Sequence, residues 1–151
     1  MGRIERVGDR LPEGLDTLRA AAQDEGFRHL ARLIADWESA LERFEAPGCA
    51  LFAVFDAEEL VGVGGLTREP TAPEAPLLRA RRFYVHPAFR RRGHGEALVD
   101  AVVAVARDHA DVLLVHSSVG AMSFWDAAGF ARSVRPGITH ELAVIRQSGP
   151  L

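Results

Sequence analysis

Near the N-terminus apolar residues return at helical spacing, and further along they gather into short runs of strand length. Leu15, Leu18 and Ala22 recur at i, i+3, i+7 between Pro12 and about Glu25, which predicts a helix with proline in its first turn. Leu30, Ile34, Trp37, Leu41 and Phe44 recur at +4, +3, +4, +3, so a second helix is expected over about Phe27 to Phe44, stopped by Ala46-Pro47-Gly48. Ahead of both, Ile4 to Val7 reads as a short strand. Ala50 to Phe55 and Leu60 to Leu66 read as an antiparallel hairpin turning at Asp56 to Glu59, and its second arm carries Gly62, Gly64 and Gly65. Three prolines make residues 69–76 a loop.

Leu77 to His86 is extended and ends at Pro87; a helix from about Glu96 to His109 follows, with Leu98, Ala101, Val102 and Val105 on one face. Val112 to His116 is apolar up to its last residue, as a buried strand parallel to the previous one should be. Strand, helix and strand form a βαβ unit with a right-handed crossover. Ala121 to Ala128 reads as a short helix that Gly129 ends, and Ala131 to Val134, the turn Pro136-Gly137 and Ile138 to Ile145 make a closing hairpin. The expected fold is a single α/β (α+β) domain. Its sheet is mixed and mostly antiparallel, with about six or seven strands and helices on both faces, spanning residues 1–151.

Composition narrows the function. A chain of 151 residues, 48% hydrophobic and 26% charged, suits one soluble domain with one core. Its net charge of −3 argues against condensation on nucleic acid or anionic lipid, so any basic function must be local. No apolar run is long enough to span a membrane and the N-terminus has no apolar signal core, which makes the cytoplasm the expected location. A lone cysteine, Cys49, cannot form an intramolecular disulfide, and with no positive neighbour it reads as a small core hydrophobe. The chain has no lysine and no asparagine; all 18 basic residues are arginine. That excludes lysine Schiff-base chemistry, a Walker A loop and an N-glycosylation acceptor. Six histidines (29, 86, 94, 109, 116 and 140) show no ligand spacing, so no metal is expected.

The chemistry concentrates in residues 81–106. A strand, a proline, an arginine-rich turn with Gly93 and Gly95, and a helix opening at that turn would aim unpaired N–H groups and a positive dipole end at one point. Between Arg79 and Arg92 there are six arginines (79, 81, 82, 90, 91 and 92) and no acid, so the positive field is expected where the amides point. A dinucleotide fingerprint fails because positions 98 and 67 are Leu98 and Thr67 instead of glycine. What remains is Arg90-x-x-Gly93-x-Gly95 directly after Val85-His86-Pro87.

With this stretch the sequence resembles the GNAT superfamily of N-acetyltransferases, whose coenzyme A motif Q/R-x-x-G-x-G/A follows a strand commonly ending V-x-P. A second stretch, Ala121 to Phe130, resembles the family's later A-x-x-[FL]-Y-x-x-x-G-F helix, with its Gly129-Phe130 placed 34 residues after Gly95. The resemblance covers nearly the whole chain. It implies acetyl-CoA as cosubstrate, with the backbone from Phe83 through Tyr84 to Val85 pairing with the pantetheine arm. Val85 N–H would polarise the thioester carbonyl. Arg90 opens the motif; Arg91, Arg92, Gly93, His94, Gly95 and Glu96 would cradle the pyrophosphate. Ser118, Phe124 and Trp125 would flank the cosubstrate. Ser118 stands where the family often has asparagine, and Trp125 replaces the tyrosine that usually protonates the departing thiolate, a role indole cannot fill.

The implied activity is acetyl transfer from acetyl-CoA to the primary amine of a small molecule or peptide in a ternary complex. A homodimer is compatible with it, and no nucleic-acid or membrane partner is expected. Catalytic candidates are Val85; Tyr84, the only phenol; and His116, His140 and Glu141, as groups that could face an acceptor channel. Trp125 is expected to wall the acceptor pocket. Two other classes compete: a non-catalytic acyl-CoA-binding or sensory domain, favoured by the missing tyrosine, and a nucleic-acid module using the Arg79 to Arg92 cluster.

Overall fold

The computed structural model describes residues 2–144. Seven strands, β1 (Gly2–Arg6), β2 (Ala50–Asp56), β3 (Glu59–Arg68), β4 (Leu77–Val85), β5 (Val112–Val115), β6 (Ala131–Arg132) and β7 (His140–Ala143), form one sheet in the order β1-β2-β3-β4-β5-β7-β6. Only β4 and β5 pair in parallel. Four helices cover it: α1 (Leu15–Asp24), α2 (His29–Glu38), α3 (His94–Ala106) and α4 (Met122–Ala127). The mixed single-domain α/β architecture expected from the pattern is the one observed.

Strand alternation splits the core in two. Leu18, Ala22, Leu30, Leu33 and Trp37 of α1 and α2 pack with Leu51, Ala53, Val63 and Tyr84 on one face. Leu98, Val99, Val102 and Ala106 of α3 pack with Val54, Val61, Leu113, Val115 and Trp125 on the other. Each fully buried leucine contributes about 1.5–3 kcal/mol, so α1, α2 and α3, each with three or more buried apolar residues, are held mainly by packing and hardly by intrinsic propensity.

The second helix is shorter than its periodicity predicts, ending at Glu38 and not near Phe44. Ala40 turns left-handed (φ 64°), Leu41 N–H reaches Asp36 O at 2.9 Å and Ala40 N–H reaches Trp37 O at 3.1 Å, a Schellman closure built without glycine. Leu41 is consequently exposed, whereas Phe44, itself at φ 57°, still drops into the α1–α2 core. On α3 the buried set is Leu98, Val99, Val102 and Ala106, so Ala101 and Val105 are only half-buried. Other element ends differ from expectation by a few residues; the expected end of the last strand, Ile145, lies outside the described residues.

Beyond Ala80 the parallel pair comes apart. β5 matches only Leu77 to Ala80 of β4, although β4 runs on to Val85 against β3. The β3–β4 register slips between Val63 and Gly65, where Arg82 takes φ 61°: a bulge that bends β4 just where it loses β5. Among the described residues no helix is long and apolar enough to cross a membrane.

Candidate functional site

The parting of β4 and β5 leaves one strand edge without a partner strand. His86 donates its N–H to Val61 O at 2.8 Å, so by strand alternation Val85 and Phe83 point their N–H and C=O groups the other way, into the gap. Their carbonyls are taken by this chain's own side chains. His29 Nε2 donates to Phe83 O at 2.9 Å, and Arg90 Nε donates to Val85 O at 2.9 Å. What the edge has left to offer a ligand is its N–H groups.

At the end of β4 a 3-10 turn, Pro87–Phe89, leads into the arginine-glycine turn and α3. Gly93 caps α3 at φ 85° with open space where a Cβ would stand, and Arg91 also adopts a left-handed φ of 63°. The first intrahelical donor is Ala97, to Gly93 O at 3.0 Å, so the N–H groups of His94, Gly95 and Glu96 have no helical partner. The His94 side chain turns inward: it is buried and donates Nε2–H to Asp56 at 3.0 Å, leaving only its backbone for a ligand. That contact, helped by Arg92, holds the Asp56 carboxyl below the usual carboxylate range.

The wall of the cleft is aromatic. Trp125 lies edge-on to Phe83, Phe124 and Phe130, with ring centroids 5.1, 5.1 and 5.0 Å away. Two glycines make room: a Cβ at Gly64 would meet the Phe83 ring at 2.8 Å, and one at Gly95 would meet Phe124 at 2.7 Å. Gly95 is thus required by Phe124, not by a positive φ. Trp125 is 4% exposed and sits on the α3–α4 face, so it supports Phe83 from within the core and presents little surface to an acceptor.

On the opposite face a polar cluster ties the α1–α2 connection to β4. Tyr84 donates its hydroxyl to Glu25 Oε1 at 2.5 Å, and Arg90 grips the same carboxylate at 2.6 and 3.0 Å. Arg90 lowers the Glu25 carboxyl, while burial and then the Glu25 carboxylate push the Tyr84 phenol far up. A phenol that donates to a carboxylate and resists ionisation is a poor proton source for a thiolate. Arg90, which opens the motif and is expected among the cofactor-binding residues, is turned back to Glu25 and Val85. Glu25 and His29 escape any reading of the sequence pattern, because their partners lie 54 to 65 residues away.

The arginine cluster is less positive than its sequence implies. Arg79 pairs with buried Glu69 at 2.7 Å, Arg82 with Asp36 at 3.5 Å, Arg90 with Glu25 at 2.6 Å and Arg92 with Asp56 at 3.4 Å. The acids missing from the local sequence arrive from other elements, so four of the six arginine charges are paired within the fold.

The remaining candidates separate. His116 follows β5 and lies exposed, with Nδ1 donating to Gly137 O at 2.7 Å. Glu141 sits beside Leu114, on the face away from α3, and binds Arg135 at 2.8 Å. His140 is fully buried, donating Nε2–H to Asp126 at 2.9 Å and meeting the Thr139 hydroxyl at 2.9 Å, so it cannot face an acceptor channel as expected: pairing with Val115 turns it toward α4. Ser118 caps the 3-10 turn ahead of α4 and is exposed. Cys49 is buried. Among the described residues no group of three His, Cys, Asp or Glu could hold a metal ion.

The split parallel pair leaves an open strand edge beside a helix N-terminus, an arrangement suited to an anionic ligand, and comparison with known proteins supplies the family. Residues 18–146 match the acetyltransferase (GNAT) domain family. A candidate acetyltransferase from Exiguobacterium sp. 255-15 superposes with a TM-score of 0.85 at 28% identity, over 95% of this chain and 93% of that one. A GNAT-family acetyltransferase from Staphylococcus aureus Mu50 shares the fold at TM-score 0.75 and 16% identity, over 95% and 99%. A tandem GNAT protein of the clavulanic acid biosynthesis pathway does so at TM-score 0.69 and 23% identity, over 90% and 46%. No curated protein sequence matches. The chain belongs to the GNAT acetyltransferase family, whose cosubstrate is acetyl-CoA.

Proposed function

We propose that the protein transfers the acetyl group of acetyl-CoA to a primary amine of a small molecule or peptide, with both substrates bound together. The observation that carries this reading is the free edge of β4 beside the α3 N-terminus, where Val85 N–H points into the gap left by β5. Phe83 and Val85, with Tyr84 between them, offer the N–H groups of the open strand edge to the pantetheine arm. Arg91, Arg92, Gly93 and the first amides of α3, on His94, Gly95 and Glu96, supply charge and N–H groups for the pyrophosphate. Val85 N–H would stabilise negative charge developing on the thioester oxygen, and holding two reactants in one cleft supplies the rest through proximity. Phe124 and Trp125 exclude water from one side.

A non-catalytic acyl-CoA-binding domain is the second reading, favoured by Trp125 at the family's tyrosine position. Calorimetric titration with acetyl-CoA, CoA and an oligonucleotide, followed by an amine-library screen for released thiol, separates the alternatives. Acetyl-CoA binding with amine-dependent thiol release supports the transferase; binding with no release from any amine supports the sensor; oligonucleotide binding alone overturns both.

A further inference from the structure

We propose that His29 is the base of the acyl transfer, its Nδ1 taking the proton from the attacking amine nitrogen at the mouth of the β4 gap. This rests on the reading of the protein as an acetyl-CoA-dependent amine acetyltransferase. Phe83 O can only accept, so the 2.9 Å contact makes His29 Nε2 the donor and leaves the lone pair on Nδ1. Nδ1 has no protein partner, and among the described residues no buried side-chain nitrogen or oxygen lacks one, so this lone pair is open to solvent. Phe83 and Val85 share one strand edge, so the imidazole is anchored within one two-residue strand repeat, itself about 6–7 Å, of the N–H assigned to the thioester oxygen.

The ring is held on two sides, edge-on to Phe27 at 5.7 Å and to Tyr84 at 5.9 Å. Burial disfavours its charged form; the Phe83 carbonyl opposes this, nearby Arg82 adds to it, and the result lies below the ordinary histidine value, leaving the imidazole neutral at pH 7. The other groups of this cluster are occupied: Glu25 is held ionised by Arg90 and Tyr84, and the Tyr84 phenol is committed to Glu25.

In the step itself the amine nitrogen bonds to the carbonyl carbon and the carbon–sulfur bond breaks, its electron pair leaving on sulfur. The nitrogen becomes strongly acidic as its new bond forms, and its proton passes to His29 Nδ1. Solvent then relays that proton from the imidazolium to the sulfur, so charge and atoms balance without another reactant.

Bromoacetyl-CoA tests the placement without needing the natural acceptor. A nucleophile lying where the amine attacks displaces bromide and is alkylated, and peptide mapping by mass spectrometry locates it. The expected result is alkylation of His29, suppressed by excess acetyl-CoA. His29→Gln, whose amide can still donate to Phe83 O, should keep acetyl-CoA binding and lose the label. Alkylation confined to other residues, or saturable acetyl-CoA binding with no alkylation of His29, overturns the proposal alone. If acetyl-CoA does not bind in calorimetry, the acetyltransferase reading falls and the proposal falls with it.

Discussion

Tyr84 and Glu25, 59 residues apart, share a 2.5 Å hydrogen bond that fastens the end of α1 to the strand lining the cleft. Arg90 closes the triangle, its guanidinium 5.4 Å over the Tyr84 ring while it grips Glu25. The only phenol of the chain is therefore engaged on the α1–α2 side and oriented as a donor to a carboxylate.

Tyr84→Phe should consequently act on stability. Loss of one charge-assisted hydrogen bond, discounted for partial exposure, predicts a cost of about 1 kcal/mol and a Tm lower by about 2–4 °C. Thermal melts check the cost. Calorimetry should find acetyl-CoA binding retained, and a kcat unchanged on whichever amine the screen yields would assign the phenol to structure.

Gly95 and Gly93 should respond differently to substitution. Gly95→Val drives its side chain into Phe124, 2.7 Å from the Cβ position, so overpacking predicts a loss of about 1–3 kcal/mol together with weaker acetyl-CoA binding. Gly93→Ala meets nothing but must hold φ 85°, which predicts a cost of about 1 kcal/mol from backbone strain. Denaturant melts of the two variants separate the causes: relieving Phe124 with Phe124→Ala should restore Gly95→Val and leave Gly93→Ala unchanged.

Arg91 combines an unfavourable φ of 63° with a charge in the proposed cradle. Arg91→Gly removes both, so stability should stay within about 1 kcal/mol, since the relief of strain offsets the entropy a glycine loses. Acetyl-CoA affinity should fall, and its dependence on salt should flatten. Titrations at two salt concentrations measure this.

Acid should destabilise the fold through its paired carboxylates. Asp126 is held well below the usual carboxylate range, by Arg132 first and His140 second, and Glu25 and Asp56 are also lowered. A depressed folded value means the contribution is complete above the unfolded value of about 4 and is lost as pH falls through it toward the folded value. Tm should begin to decline below about pH 6.5, where the unfolded chain takes up a proton that buried His29 resists, and should drop steeply below pH 4 as the paired carboxylates are protonated. In Asp126→Asn the drop should be shallower.

Where interactions are local, the sequence is a sufficient guide. The 3.6-residue period placed α1 and α3, alternation placed the hairpin, and Arg90-x-x-Gly93-x-Gly95 after Val85-His86-Pro87 pointed to the family, because a strand end, a left-handed glycine and a helix N-terminus are all set by residues a few positions apart. The end of α2 is not legible in the sequence: the periodicity runs on through Leu41 and Phe44, whereas in the fold Ala40 turns left-handed, Leu41 is exposed and Phe44 is buried in the core.

The partners of the arginines, and the fates of Tyr84, His29, Trp125 and His140, were decided by tertiary structure alone. Asp36, Glu25, Asp56 and Glu69 reach the cluster only once α1, α2 and the hairpin are laid on the sheet. Likewise, whether a strand residue faces a cleft or the core depends on register, and a single bulge at Arg82 resets it. Charge and direction are properties of three-dimensional neighbours, and a one-dimensional pattern records which side chains are available without recording what they will meet.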